Sequence, residues 1–178
     1  MSKLIEGGTE LILDTLIKIQ REEEQDATIL IAGKEGIGKS TLLLWFIEYW
    51  LDKNNIKITK ATAEKLVANH ISLNIEQFIQ NLNRLPSKSI VSLDEGKKLS
   101  SIRTAESIVK DIAEAFTVMR KKGLITIICF TNPTRMTYYF KEDRVIGLFL
   151  VVKRGIIKYY DKERLNKIIN ETNKDNNK

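Results

Sequence analysis

Several features that would place a chain in other classes of protein are scarce or missing here. Cys129 is the only cysteine in 178 residues, which excludes an internal disulfide framework. No apolar run reaches the ~18 residues that a membrane-spanning helix requires. Glu6 and Glu10 interrupt the amino-terminal segment, so it lacks the basic-then-apolar design of a secretory signal. We therefore expect a cytoplasmic protein with no membrane span.

Further absences bear on domain organisation and metal binding. No stretch rich in proline, glycine and serine divides the chain, and no internal repeat is present. Hydrophobic residues make up 43% of the sequence, enough for a globular core. We expect a single domain over residues 1–170 and a polar, flexible tail over residues 171–178. His70 is the only histidine and has no cysteine nearby in sequence, so it is not expected to form a metal site.

Charge is distributed unevenly along the chain. Residues 1–30 carry three Lys/Arg against seven Asp/Glu, whereas residues 97–178 carry eighteen against nine. A basic half is typical of proteins that bind nucleic acid. A lysine-rich, solvated surface explains the same numbers equally well, so charge alone leaves both interpretations open.

The motif with the clearest chemistry begins at Gly33. Residues 33–40 match the phosphate-binding pattern G-x-x-x-x-G-K-[ST]. The apolar run 27–32 before it predicts a buried strand, and residues 41–50 predict a helix. In that context backbone N–H groups can surround a polyphosphate, and the helix N-terminus adds positive charge. The residues expected to bind a nucleoside triphosphate are Gly33, Lys34, Glu35, Gly36, Ile37, Gly38, Lys39, Ser40 and Thr41.

A second motif follows at the end of another predicted strand, residues 89–93. Asp94 and Glu95 come directly after this apolar run, as in the Walker B motif of nucleotide hydrolases. Asp94 and the Ser40 hydroxyl would hold Mg²⁺, Lys39 would meet the β- and γ-phosphates, and Glu95 would polarise the attacking water. The water-orienting Glu95 favours ATP hydrolysis. An arginine-rich kinase lid and a correctly spaced N-K-x-D motif of GTPases are both missing.

The remaining pattern alternates helices with apolar strands. It predicts an α/β fold with an open, mostly parallel, RecA-like sheet flanked by helices and a late β-hairpin at one edge. The predicted elements are a helix capped by Thr9 with an apolar stripe from Leu11 to Ile19, a helix over 76–85, a long helix over 102–122 stopped by Gly123, strands over 124–130 and 145–152, and a hairpin turn at 153–155.

Two further residues are candidates for catalysis. Asn132 follows the predicted strand 124–130, where a polar side chain can contact the γ-phosphate or the attacking water, although Asn-Pro also favours a plain turn. Arg120 ends the long helix. It either complements its own helix C-terminus or, in a ring of subunits, faces the γ-phosphate of a neighbour; Arg135 and Arg144 are alternatives for the second role.

With Gly33–Ser40, Asp94, Glu95 and Arg120 in this order, the chain resembles the FtsK–HerA superfamily of P-loop ATPases over residues 27–152. It is most similar to the compact forms of viruses and plasmids, including zonula-occludens-toxin-like and genome-packaging ATPases. The chain departs from them at Asn132, where glutamine is usual, and at Gly96, where alanine is frequent.

The resemblance implies an ATP-hydrolysing motor that translocates or packages DNA as an oligomeric ring, a hexamer being favoured. ATP and Mg²⁺ are the implied cofactors, DNA would bind through the basic half, and Arg120 would act in trans. Two alternatives remain: a nucleotide-dependent switch that binds a partner protein and, less favoured, a small-molecule kinase.

Overall fold

A computed structural model describes residues 8–22, 25–57, 59, 69–94, 115, 117–131 and 145–167. Within these ranges the chain alternates between helices and strands. In chain order the elements are α1 (Gly8–Glu22), β1 (Ala27–Ala32), α2 (Lys39–Lys53), β2 (Ile71–Ser72), α3 (Ile75–Arg84), β3 (Ile90–Leu93), β4 (Ile125–Phe130), β5 (Val145–Lys153) and β6 (Ile156–Asp161). Residues 117–122 and 162–167 are also helical.

The strands form one six-stranded sheet in the order β2-β3-β4-β1-β5-β6. Each neighbouring pair is parallel except β5 and β6, which form an antiparallel hairpin at one edge. The predicted α/β fold with a mostly parallel sheet and a late hairpin is therefore confirmed. Strand β4 lies between β1 and β3, so the two strands that precede the nucleotide motifs are not neighbours.

Helices cover the sheet on both faces, which explains why the central strands β1 and β4 are apolar except for Thr28 and Thr126. Every residue of β1 and of β4 is buried. Side chains alternate along β1: Ile29 and Ile31 pack in the cluster that holds α1 and α2. Leu30 and Ala32 pack in the cluster on the opposite face, which holds α3 and Met119. A parallel strand enclosed in this way has no polar face to expose.

Helix α1 differs from the prediction in two respects. Thr9 lies inside the helix, which already includes Gly8, so the prediction that Thr9 caps it is wrong. Leu11 was assigned to the buried stripe, but its side chain is 68% exposed. The buried apolar residues are Leu13, Leu16 and Ile17. The stripe is thus shifted around the helix because α1 packs against α2 as well as the sheet.

Strand β2 was not predicted. It has only two residues, Ile71 and Ser72, and pairs with β3 at the sheet edge opposite the hairpin. His70 just before it is buried, and its Nδ1 lies 2.6 Å from the carbonyl oxygen of Ile90. Because a carbonyl only accepts, Nδ1 carries the proton. Two residues are too few to show the alternation that reveals a strand in sequence.

The stop predicted at Gly123 is confirmed. Gly123 has φ 56°, a left-handed conformation that favours glycine. Its N–H donates to the carbonyl of Arg120, and the N–H of Leu124 donates to the carbonyl of Met119. These two bonds form a Schellman motif, which ends the helix and directs the chain into β4. Of the long helix predicted over residues 102–122, the part up to residue 114 lies outside the described residues.

Candidate functional site

The phosphate loop connects β1 to α2 at the edge of the sheet where the parallel strands end, here called the carboxyl edge. Gly33 is the first residue of the loop, and its conformation, φ 153°, is one that residues with side chains rarely adopt. A Cβ on Gly33 would lie 2.7 Å from the carbonyl oxygen of Val151 on β5. Only glycine therefore allows the loop to start so close to the neighbouring strand.

The first turn of α2 is suited to an anion. Its N-cap is Gly38, with φ 110°, and no side chain caps the first N–H groups. The first turn contains no acidic residue, in contrast to α1 and α3, which carry Glu10 and Glu76 there. A Cβ built on Gly36 or on Gly38 would meet nothing within 4 Å. The start of α2 thus has N–H groups that no side chain caps and a helix dipole that no acidic residue of the first turn compensates. It also has space for phosphate oxygens.

Lys39 begins α2 and turns back over the loop. Its Nζ donates to the carbonyl oxygen of Lys34 at 3.0 Å. This bond holds the ammonium group against the backbone of the loop. A bound phosphate would offer charged oxygens in place of one neutral carbonyl, and charge-assisted hydrogen bonds are the stronger kind.

Ser40 and Asp94, the two predicted metal ligands, are in direct contact. The Ser40 Oγ donates to Oδ2 of Asp94 at 2.7 Å, although the residues are 54 positions apart in sequence. The backbone N–H of Asp94 donates to the carbonyl of Ser72 at 2.8 Å, so the unpredicted strand β2 fixes where Asp94 stands. Two oxygen donors side by side at a phosphate loop make up the donor set that Mg²⁺ prefers.

The fit to Mg²⁺ depends on the nucleotide as well as on the protein. Among the described residues, no group of three or more His, Cys, Asp or Glu side chains could hold a metal ion. Mg²⁺ usually binds through one or two protein oxygens together with water and substrate phosphates. Ser40 and Asp94 fit a site of that kind, in which the triphosphate completes the coordination.

Cys129 is a member of this site that sequence reasoning missed. Ile128 pairs with Leu93, which places Cys129 on β4 beside Asp94, the residue that follows β3. Burial raises the pKa of the Cys129 thiol well above its ordinary value, and the negative charge of the Asp94 carboxylate raises it further. The thiol therefore stays protonated. Only the register between two strands reveals this contact, and no sequence motif carries it.

The other candidate residues are distributed differently. Thr131, half-buried, follows β4 at the carboxyl edge, and Asn132 after it lies outside the described residues, as do Glu95, Arg135 and Arg144. Arg120 is exposed and precedes β4, at the opposite edge of the sheet. Six strand residues separate the two edges, about 20 Å at the usual rise per residue. Arg120 is therefore remote from the phosphate loop of its own chain.

Comparison with known proteins agrees with this arrangement. The model of the ATPase family associated with various cellular activities (AAA) matches residues 29–139, more than half of the chain. The match includes the phosphate loop from Gly33 and also Asp94. A search of curated proteins finds no match. Within the described part of the chain, no helix is long and apolar enough to cross a membrane.

Proposed function

Because the chain belongs to the ATPase family associated with various cellular activities, we propose that it is an ATP-driven motor of the FtsK–HerA type that moves DNA. The observation that carries the ATP-hydrolysing part of this proposal is the 2.7 Å contact between Ser40 and Asp94. It brings the phosphate loop and the acidic strand end together across the intervening strand β4, as hydrolysis of a triphosphate requires.

Each residue of the site has a distinct task in this proposal. Backbone N–H groups of the loop and the start of α2 bind the phosphates, and Lys39 balances charge at the β- and γ-oxygens. Ser40 and Asp94 hold Mg²⁺, which, when bound, neutralises charge on the phosphates. The Ser40 hydroxyl donates to Asp94 and keeps that carboxylate oriented. Glu95, which follows Asp94 directly, orients the attacking water.

The division of labour between the two acidic residues can be tested directly. Glu95→Gln should leave ATP bound but unhydrolysed, since the amide retains the shape and loses the negative charge. Asp94→Asn should instead weaken nucleotide binding that depends on Mg²⁺. The measurements are binding of a fluorescent ATP analogue over a Mg²⁺ titration and release of phosphate. Identical behaviour of the two variants would contradict these assignments.

We propose further that the motor is a homo-oligomeric ring, a hexamer being favoured, in which Arg120 acts on a neighbouring subunit. The last carbonyls of its helix already accept from Gly123 and Leu124. Within the described residues the Arg120 side chain forms no hydrogen bond or ion pair, which supports a role outside its own chain. An arginine supplied in trans can raise turnover by ~10³–10⁵.

A mixing experiment tests the trans arginine. Arg120→Ala subunits and Lys39→Ala subunits should each be inactive alone. In mixed oligomers some interfaces pair an intact phosphate loop with an intact arginine, so part of the ATPase activity should return. No recovery in oligomers whose mixing is verified would contradict the role of Arg120, and Arg144 would be tested next.

The alternatives make different predictions for the same assay. A motor on DNA should hydrolyse ATP faster when DNA is added, and its DNA affinity should fall steeply with salt because phosphate contacts dominate. A nucleotide switch should show slow hydrolysis that a protein partner, but not DNA, accelerates. Transfer of phosphate to a small acceptor would support a kinase.

A further inference from the structure

The hairpin of β5 and β6 reaches past the end of the parallel sheet. The pairing of β5 with β1 ends at Leu150, opposite Ala32, but β5 continues to Lys153. Gly155, with φ 78°, then turns the chain back into β6. Residues 152–155, here called the hairpin tip, therefore project from the carboxyl edge, the edge that also carries the phosphate loop.

The base of the hairpin tip is in contact with the phosphate loop. Val151 lies against Gly33 so closely that no Cβ would fit between them. Ile37 of the loop packs against the buried cluster to which Val151 and Phe149 belong. The backbone of the hairpin and the backbone of the loop are thus one packed unit. A displacement of the tip would be transmitted to the loop that binds the triphosphate.

The hairpin and the short helical segment after it are strongly basic. Residues 152–167 contain six Lys/Arg and two Asp/Glu. Arg164 lies near Asp161, and so part of its charge is balanced within the chain. Lys153, Arg154 and Lys158 are exposed, and none of them forms an ion pair or hydrogen bond with the described part of the chain. Their charge is therefore not balanced by the described part of the chain.

We propose that the hairpin tip, with Lys153 and Arg154, is a contact surface for the phosphate backbone of a polynucleotide. This inference rests on the proposed function and specifies where the polynucleotide binds. Exposed cations on a projecting turn complement a regular row of phosphates, and each contact releases condensed counterions. Contact between Val151 and Gly33 then provides a physical route from the polynucleotide to the ATP site.

The test compares two double variants with the same change in net charge. Lys153→Glu with Arg154→Glu removes the charge of the tip. Lys57→Glu with Lys121→Glu is the control, since both lysines are exposed and lie toward the opposite edge of the sheet. Affinity for a duplex and for a single-stranded oligonucleotide is measured over a salt series, and ATPase activity is measured with and without each.

The tip variant should lose about two units of log–log salt slope, roughly 0.9 for each phosphate contact. It should also lose most of the stimulation of ATPase activity by the polynucleotide, while its activity without polynucleotide remains. The control variant should retain both the slope and the stimulation. A milder variant, Lys153→Gln with Arg154→Gln, should lie between the wild type and the tip variant, and guards against misfolding of the charge-reversed protein.

Failure of this inference and failure of the proposed function give different results. If the wild-type protein binds no polynucleotide at low salt in any nucleotide state, the proposed function itself is contradicted. If the wild type binds and the tip variant retains its slope and stimulation, only the role of the hairpin tip is contradicted. Binding of the wild type to phosphatidylserine vesicles but to no polynucleotide, abolished in the tip variant, would assign the tip to a membrane surface and overturn the inference.

Discussion

At the edge of the sheet where the parallel strands begin, here called the amino edge, the protein itself supplies the hydrogen-bond partners of a buried glutamine side chain. Gln20 of α1 is buried there, and its Nε2 donates to the carbonyls of both Ser89 and Gly123, at 2.9 Å each. Trp50 of α2 donates its indole N–H to Gln20 in return. The amino edge thus ties two helices to the starts of β3 and β4 with hydrogen bonds that need no ligand.

The carboxyl edge, in contrast, leaves backbone donors without a side-chain partner. There the first turn of α2 has no side-chain cap, Gly36 and Gly38 face open space, and among the described residues Lys39 is held by a single carbonyl. Unmet donors cost little where water or a ligand reaches them and a great deal where neither does. From this difference we infer that the amino edge contributes more to the stability of the fold, whereas the carboxyl edge is suited to binding a ligand.

The largest expected effect is the loss of ATP hydrolysis in Lys39→Ala at the carboxyl edge. No other described cation is placed to meet the β- and γ-oxygens, so hydrolysis should fall by about 10²–10³-fold or more. The free energy of unfolding should hardly change. Lys34→Ala is the matched control, since Lys34 contributes its carbonyl to the loop and its side chain is exposed. Hydrolysis within a few-fold of wild type in Lys39→Ala would contradict the site.

Gln20→Leu at the amino edge should have a smaller effect, and this effect should be on the free energy of unfolding and not on ATP hydrolysis. The substitution leaves two carbonyls and one indole N–H without their buried partner, which should lower the free energy of unfolding by about 2–4 kcal/mol. Denaturant unfolding measures this loss. The matched control is Gln80→Leu on α3, where the side chain is exposed. Equal stability of the two variants would show that the amino edge is not the stabilising end.

Lys122 should contribute less than Gln20 to the free energy of unfolding, because the Lys122 side chain is only partly buried. Its Nζ donates to the carbonyls of Leu82, Asn83 and Leu85, at the C-terminus of α3. Lys122→Met should therefore lower the free energy of unfolding by about 1–2 kcal/mol. The neighbouring Lys121→Met serves as control because Lys121 is exposed. ATPase activity below the melting temperature should be unchanged in both variants.

The smallest expected effect is the pH dependence of stability caused by His70. The centroid of its ring lies 5.9 Å from that of Trp50, near the amino edge. Burial lowers the pKa of His70 below its ordinary value of 6.5. The unfolded chain therefore binds the proton at higher pH than the folded protein. Stability should fall as the pH drops below about 6.5, by at most ~1.4 kcal/mol per pH unit.

His70→Asn provides the control for that pH dependence. The asparagine amide can still donate to Ile90 but does not titrate. The slope of unfolding free energy between about pH 5 and 6.5 should then disappear, since His70 is the only histidine of the chain. An unchanged slope would mean that other groups cause it.

Strong local patterns were sufficient for most of the elements. The glycine loop, the apolar strands β1 and β4 and the stop at Gly123 were all predicted, because backbone conformation and burial there follow from the residues themselves. The prediction of a cap at Thr9 was wrong, since cap residues are common and helix ends depend on neighbouring structure. Strand β2 was missed because pairing with β3, and not its own pattern, makes it a strand.

The sequence by itself determined which residues we propose for triphosphate binding: glycines for a loop that begins where a side chain would not fit, a lysine and a hydroxyl at a helix start, and a carboxylate after an apolar strand. Tertiary structure alone decided their arrangement. The order of strands placed β4 between β1 and β3, brought Ser40 to Asp94, and set Cys129 beside them. It also aligned the basic hairpin with the phosphate loop. Such contacts depend on strand order and register, which are properties of the assembled sheet and are not encoded in any one segment.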